Sequence, residues 1–445
     1  MRRMSAPAVL GARPRSILEV AAQSALALPT RNPGAMLRRL TRDGRETIRM
    51  GRGRRRVFLL TEPDDVRTLL VTHAGDVHKG PGVQATSALL GQGLLTSEGA
   101  AHARARRLVG AAFSPTQLDA YTAVMVEEVQ ASIERLAAAS VDLHAEMTRL
   151  TLLIVGRTIL GARLDDHADE VRTALQTALT EFVRLRPGAR AGAEVVTSGR
   201  IVEARGRLLA LVTRLVAERR ASGADGRDAL STLVAARDPE SGGADRLTDA
   251  EIADEVITLM VAGHETTANA IAFCLWQLSS RPDLAERIRA EVDEAGDASW
   301  LDPRGRLPFT RRVVQETIRL FPPAWVFGRS LDAPIAFGGF EASPGDVVGV
   351  SPWVIHRSAR WYDEPTVFDP DRWECRPGGL RYDFVPFGAG PRGCIGEQFA
   401  WIEATLIVAM LTRALDITVT RPVRLEFTVT LRPRRGIAAS ARRRS

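Results

Sequence analysis

The sequence predicts a mainly α-helical fold with a small β-region. Three observations predict it. Residues 116–235 are mostly of helical period, broken at Arg186-Pro187-Gly188 and Ser222-Gly223. A second helical run extends from Thr248 to about Ser280, and a third follows Cys394. Alternating segments are short and bounded by glycine and proline, as at 47–60 and in PIAFGGFEASPGDVVGVSPWVI. The 445 residues are 45% hydrophobic and 25% charged, ordinary for a globular enzyme with a large core. The net charge of +7 comes almost wholly from arginine, because Lys79 is the sole lysine. No basic block is interleaved with aromatics, so no nucleic-acid partner is expected. Three cysteines, Cys274, Cys375 and Cys394, do not suggest a disulfide framework, which fits a reducing cytoplasm. Cys274 lies in an apolar helical run and reads as core.

The elements follow in order. Residues 1–44 read as a mobile basic leader and a short surface helix. ILEVAAQSALALP is too short and too polar to span a bilayer, so no integral membrane segment is expected. Residues 45–435 read as one catalytic domain, opening on a strand pair over Thr47–Leu60 and a helix from Glu62 to Leu70. Gly80–Gly99 is loop-like. The next helix carries His102 and Arg106 at i and i+4, on one face. Thr248 and Glu251 form a capping box that starts a helix of about 45 Å. Its centre reads Ala262-Gly263-His264-Glu265-Thr266-Thr267. A central glycine and paired threonines weaken a helix, which marks a functional gap or merely tolerated polar surface. Glu316 and Arg319 share a helix face ahead of Pro322. The chain ends in a strand pair and a solvated basic tail, 436–445.

The most informative stretch is FVPFGAGPRGCIG, Phe384–Gly396. Gly388, Gly390, Gly393 and Gly396 permit sharp turns and close approach, while Pro386 and Pro391 stiffen the loop. Cys394 stands at a helix N-terminus, where amide N–H groups favour a thiolate. One reading is a buried structural cysteine, which leaves the glycines and Arg392 unexplained. Another is a dinucleotide loop, since Gly388, Gly390 and Gly393 fit G-x-G-x-x-G. Only about fifty residues follow, too few for the required sheet. The third is a metal thiolate.

Phe387-Gly388-x-Gly390-x-Arg392-x-Cys394-x-Gly396 resembles the haem-binding signature of the cytochrome P450 family without a departure. Further likenesses stand in the family's order: H-x-x-x-R at His102 and Arg106, AGHETT at 262–267, and ExxR at Glu316 and Arg319. The resemblance implies the cytochrome P450 fold, one haem b and O2 as cosubstrate. It makes Cys394 the proximal iron ligand, with Gly396 tuning the sulfur and Phe387 shielding it. It assigns His102, Arg106, Arg329 and Arg392 to the haem propionates. It places Ala262, Gly263 and Thr266 at the oxygen groove and Glu265 on the proton-delivery path. Arg372 joins Glu316 and Arg319 in a structural triad. Gly80–Gly99 would roof the substrate pocket, 181–198 would line its access, and Ala324 and Val326 would face substrate.

The expected activity is monooxygenation of a lipophilic small molecule by a monomeric enzyme. Electrons would come from NAD(P)H through a separate ferredoxin or flavodoxin and its reductase. Arg104 and Arg107 are expected to stay free for that partner. Two alternatives remain: a peroxide-using or isomerising haem-thiolate enzyme, and a non-enzymatic haem sensor or carrier. Thr266→Ala discriminates the first, because a monooxygenase should then leak peroxide. NAD(P)H-dependent product formation excludes the second.

Overall fold

The computed structural model describes residues 17–20, 33–41, 47–50, 56–84, 86–137, 140–162, 173, 199–222, 226–296, 300, 302–376 and 382–444. The expected access segment 181–198 lies outside them. The principal helices are α1 (Pro33–Thr41), α2 (Gly99–Gly110), α3 (Pro115–Leu136), α4 (Leu143–Val155) and α5 (Gly199–Ser222). They continue as α6 (Ala229–Ala235), α7 (Asp249–Ser279), α8 (Pro282–Ala295), α9 (Pro308–Leu320) and α10 (Glu397–Ala414). Proline opens α3, α8 and α9, where its missing N–H costs nothing.

Helix α7 is the spine. Its capping box forms as the sequence predicts: Thr248 N–H donates to Glu251 Oε2 at 2.7 Å, and Glu251 N–H donates to Thr248 Oγ1 at 3.3 Å. The helix runs 31 residues and packs on α4, α5, α8, α9 and α10. Its two halves belong to different hydrophobic cores. Ile252–Met260 contribute to a cluster with α2, α4, α5 and α6. Ala268–Leu278 contribute to a larger cluster with α3, α4, α9 and α10. Residues 262–267 belong to neither core. The weak centre read from the sequence is therefore a break in apolar packing, while His264, Glu265 and Thr267 stay buried.

The β-region is small. Strands β1 (Ile17–Val20), β2 (Thr47–Met50), β3 (Val57–Leu60), β4 (Val77–Lys79), β6 (Phe327–Leu331) and β9 (Val347–Val350) form one sheet, ordered β1-β2-β3-β9-β6-β4. The expected 47–60 pair is present, with Thr47 opposite Leu60. β5 (Ser140–Asp142), β10 (Leu415–Val419) and β13 (Ala438–Arg443) form a second sheet. Two hairpins complete the region: β7 (Ile335–Phe337) with β8 (Phe340–Ala342), and β11 (Leu425–Phe427) with β12 (Leu431–Pro433).

Three sequence expectations need correction. The boundary at 44/45 is not structural. β1 pairs in parallel with β2, Leu37 of α1 is buried, and the Trp353 indole donates to the Gly34 carbonyl at 3.0 Å. The tail is not a solvated end, since β13 pairs with both β10 and β5. Ile437, Ala439 and Ala441 turn inward while Arg442 and Arg443 stay exposed, a period-two pattern hidden by the arginine-rich composition. Finally, 80–99 contains two helical turns, Pro81–Gln84 and Ser87–Leu90. The segment is fastened to α7: Gln92 N–H donates to Asp254 at 2.8 Å, and Leu94 N–H donates to Glu255 at 2.9 Å.

Candidate active site

The cysteine loop is built by its glycines. Gly388 and Gly390 adopt φ of +69° and +68°, in the left-handed region. A Cβ at Gly390 would fall on the Leu70 carbonyl oxygen. The loop closes when Cys394 N–H donates to the Phe387 carbonyl at 2.9 Å. The Phe387 ring meets Trp401 edge-on at 5.3 Å. Gly396 is the N-cap of α10, and its N–H donates to the Cys394 sulfur. Burial nevertheless pushes the thiol up to about 11, outweighing that bond. The helix terminus alone therefore does not produce the expected thiolate; a coordinated metal cation would. Cys394 retains accessible surface although protein encloses it, so it lines internal space.

A cluster of cations flanks the loop. His102 and Arg106 lie on α2, His102 buried and Arg106 donating to the Gly393 carbonyl at 2.7 Å. Lys79 is buried, with its ammonium on the Leu94 and Ser97 carbonyls at 2.8 and 2.6 Å. Arg329 is buried too, and donates to the neighbouring Gly328 carbonyl at 2.9 Å. Arg392, expected on a propionate, here pairs with Glu98 at 2.9 Å and donates to the Ala74 carbonyl at 2.6 Å. Burial and neighbouring positive charge lower His102 to about 4 and Arg329 to about 10. Burial, with Arg392 and Arg329 adding and Glu98 opposing, lowers Lys79 to about 8. Glu98 thus acts on Lys79, His102, Arg329 and Arg392, and basic groups outnumber carboxylates here. An apolar enclosure with excess positive charge beside one thiol fits haem, a flat apolar group with two carboxylates and a thiolate-binding iron.

Helix α7 supplies the other wall. Ala262 is exposed, and Gly263 and Thr266 are half-exposed, in a helix otherwise largely buried. They stand at i, i+1 and i+4, on one face. A Cβ at Gly263 would meet only Val155, at 3.5 Å. The Thr266 hydroxyl donates to the Ala262 carbonyl at 2.7 Å, which leaves its lone pairs available. Glu265 is buried and accepts from the Thr430 hydroxyl at 3.0 Å. His264 points elsewhere, buried with Nδ1 2.9 Å from the Met260 carbonyl, as its place on the helix predicts.

Glu316, Arg319 and Arg372 come together beneath this site. Arg319 and Glu316 are fully buried and paired at 2.7 Å; Arg372 reaches Glu316 at 3.0 Å. Arg319 also donates to the carbonyls of His356, Pro365 and Val367. Arg104 and Arg107 do not behave as expected. Arg104 pairs with Asp245 and Glu251, and Arg107 with Asp238 and Glu240. They clamp α2 to the approach of α7 and are not free for a partner. Lys79, Glu98 and Thr430 are site residues that sequence reasoning missed. Lys79 carried a signal: a chain that uses arginine everywhere else keeps one lysine.

Comparison with known proteins agrees. The sequence profile described as Cytochrome P450 matches residues 20–436. Cyclooctatin synthase of Streptomyces melanosporofaciens is 36% identical over 394 residues, covering 86% of this chain and 85% of its own. Cyclooctat-9-en-7-ol 5-monooxygenase of the same organism is 34% identical, covering 81% and 80%. Pentalenene oxygenase of Streptomyces avermitilis is 34% identical, covering 76% and 77%. A complete signature loop, a cation-rimmed enclosure and a profile match over nearly the whole length lead to one assignment: the chain belongs to the cytochrome P450 family.

Proposed function

We propose that this cytochrome P450 monooxygenase oxidises a terpene-like, largely unfunctionalised ring system. One observation carries the reading. Three segments that are tied to α7 or to one another carry exposed or half-exposed apolar side chains. Leu95 is exposed beside Leu94, which is bonded to Glu255 of α7. Val429 is exposed beside Thr430, which is bonded to Glu265. Ala324 and Val326 flank Trp325, whose indole donates to the Thr428 carbonyl at 2.9 Å. Such a lining offers shape and little polarity, so it selects by fit. The relatives named for cyclooctatin and pentalenene support a terpenoid substrate.

Bound haem supplies dioxygen activation. The chain's residues do the rest. Cys394 Sγ would bind iron, and Gly396 N–H would steady the sulfur. Lys79, His102, Arg106, Arg329 and Arg392 would hold the propionates, Arg392 by leaving Glu98. Thr266 accepts a hydrogen bond from a protonated partner in the groove, because its own proton is committed to Ala262. Glu265 carries protons to that groove on its carboxyl oxygens. Electrons come from NAD(P)H through a separate ferredoxin or flavodoxin and its reductase. The protein acts as a monomer in the cytoplasm; among the described residues no helix is long and apolar enough to cross a membrane.

The test is the spectrum of the dithionite-reduced protein under carbon monoxide, followed by spin-state titration with cyclic di- and sesquiterpene hydrocarbons. A strongly red-shifted Soret band, lost in Cys394→Ala, and a spin shift with these hydrocarbons are expected. A Soret band typical of histidine-ligated haem would refute the ligand assignment. Spin shifts only with charged compounds would refute the substrate class.

A further inference from the structure

Glu265 sits at the end of a chain of hydrogen bonds that leads away from the groove. Its Oε1 accepts from Thr430 Oγ1 at 3.0 Å. Thr430 Oγ1 in turn accepts from Asn269 Nδ2 at a long 3.4 Å. Asn269 Oδ1 lies 2.7 Å from His144 Nε2. Glu265 and Asn269 are i and i+4 on α7, so both face the β11–β12 hairpin. Asn269 is fully buried, where an amide is tolerated only if both its ends are bonded.

With the Asn269 amide in this orientation, the donor directions follow from chemistry. Asn269 Oδ1 can only accept, so His144 Nε2 carries the hydrogen. Asn269 Nδ2 can only donate, so the Thr430 oxygen receives it. The Thr430 hydrogen is then left for Glu265. All three hydrogens point toward the carboxylate. Burial lowers the pKa of His144, which keeps the ring neutral. Asn269, Asp142, Glu265 and Arg432 are the groups that act on that ring. Arg432 of β12 also stands 3.9 Å from Glu265 Oε1, and itself pairs with Glu426 at 2.9 Å.

We propose that His144, Asn269 and Thr430 are positioning residues: a directional hydrogen-bond chain that parks the Glu265 carboxyl against the hairpin tip between proton transfers. The proposal rests on Glu265 being the proton carrier, as read above. To serve the groove, the carboxyl must leave Thr430. Thr430 lies beside the exposed Val429, on the tip read above as facing substrate. A bulky substrate pressing on that tip therefore loosens the hold on Glu265 and ties proton delivery to occupancy.

Holoenzyme with its redox partners, with and without a turned-over hydrocarbon, provides the test. Without hydrocarbon, peroxide release by Thr430→Val should rise about fivefold over the wild type, the change matched to one hydrogen bond. The solvent kinetic isotope effect should change with it, and Thr430→Ser should restore both. A readout independent of turnover is ring-nitrogen NMR of the diamagnetic ferrous carbon monoxide complex. His144 should appear as the Nε2–H tautomer in the wild type and as a mixture in Asn269→Leu. If Thr430→Val without hydrocarbon releases no more peroxide than the wild type while Thr266→Ala leaks peroxide, the chain is only structural and the proposal falls. If Glu265→Gln and Thr266→Ala both couple normally, the reading of Glu265 as proton carrier is what has failed.

Discussion

The Glu403 carboxyl lies fully buried on α10, and neither oxygen has a hydrogen-bond partner of normal geometry, although the Thr267 hydroxyl of α7 approaches it. Burial raises its pKa well above the usual carboxylate value of 4.5, so it folds as the neutral acid. The sign of its effect on stability follows. Above the unfolded value the unfolded chain has released a proton that the folded chain keeps, so stability falls as pH rises. Glu403→Gln keeps the shape and removes the titration. Denaturant unfolding of the variant should therefore lose stability less steeply from weakly acid to weakly alkaline pH, by up to about 1.4 kcal/mol per unit. Parallel slopes would show that the wild-type carboxyl is already ionised. Arg319 gives a second residue-scale prediction. Arg319→Ala leaves the buried Glu316 with Arg372 as its remaining cation and takes the donor from the His356, Pro365 and Val367 carbonyls, which should cost on the order of 3–5 kcal/mol. The exposed Arg287–Asp371 pair, at 2.8 Å, should cost about 1 kcal/mol or less when Arg287 is replaced by alanine. Similar losses in the two variants would contradict this picture of the triad.

Among the elements, α7 and the cysteine loop were legible because their signals are local. A capping box spans four residues, and the glycine loop spells its own turns. The break in apolar packing at 262–267 was readable as poor helix formers at the centre of a long apolar run. Pairings between distant segments were not readable. Ile17–Val20 finds β2 thirty residues later, and Ala438–Arg443 finds β5 nearly three hundred residues earlier. Nothing in local period announces such partners. The same holds for the site: Lys79, Glu98, Arg329 and Arg392 meet only through the sheet and α2. The β11–β12 hairpin should be as sensitive as α7 to substitution. Trp325→Phe removes the bond to the Thr428 carbonyl while keeping an aromatic against Phe427. It should weaken hydrocarbon-induced spin shifts several-fold and leave the reduced carbon monoxide spectrum unchanged. A lost red-shifted band would mean that the hairpin supports the cysteine loop as well.

At the scale of the molecule, arginines that looked available on the sequence are paired within the chain. Arg104 and Arg107 hold α2 to the segment that leads into α7, over sequence separations of more than a hundred residues. Charge reversal of both should lower the unfolding temperature by several degrees. It should leave the salt dependence of reduction by an added ferredoxin as it was; a flattened dependence would return these residues to a docking role. The composition also has a chemical consequence. The only ε-amine in the chain is buried in the cation cluster, so reagents that couple lysines across an interface find no side-chain handle on the outer surface. A complex with an electron donor will escape cross-linking through lysine side chains however tightly it forms, and is better trapped through carboxylates or arginines. Conversely, labelling of Lys79 by an amine-selective reagent reports that the haem-side enclosure has opened, which makes this residue a built-in single-site sensor of the folded, loaded protein.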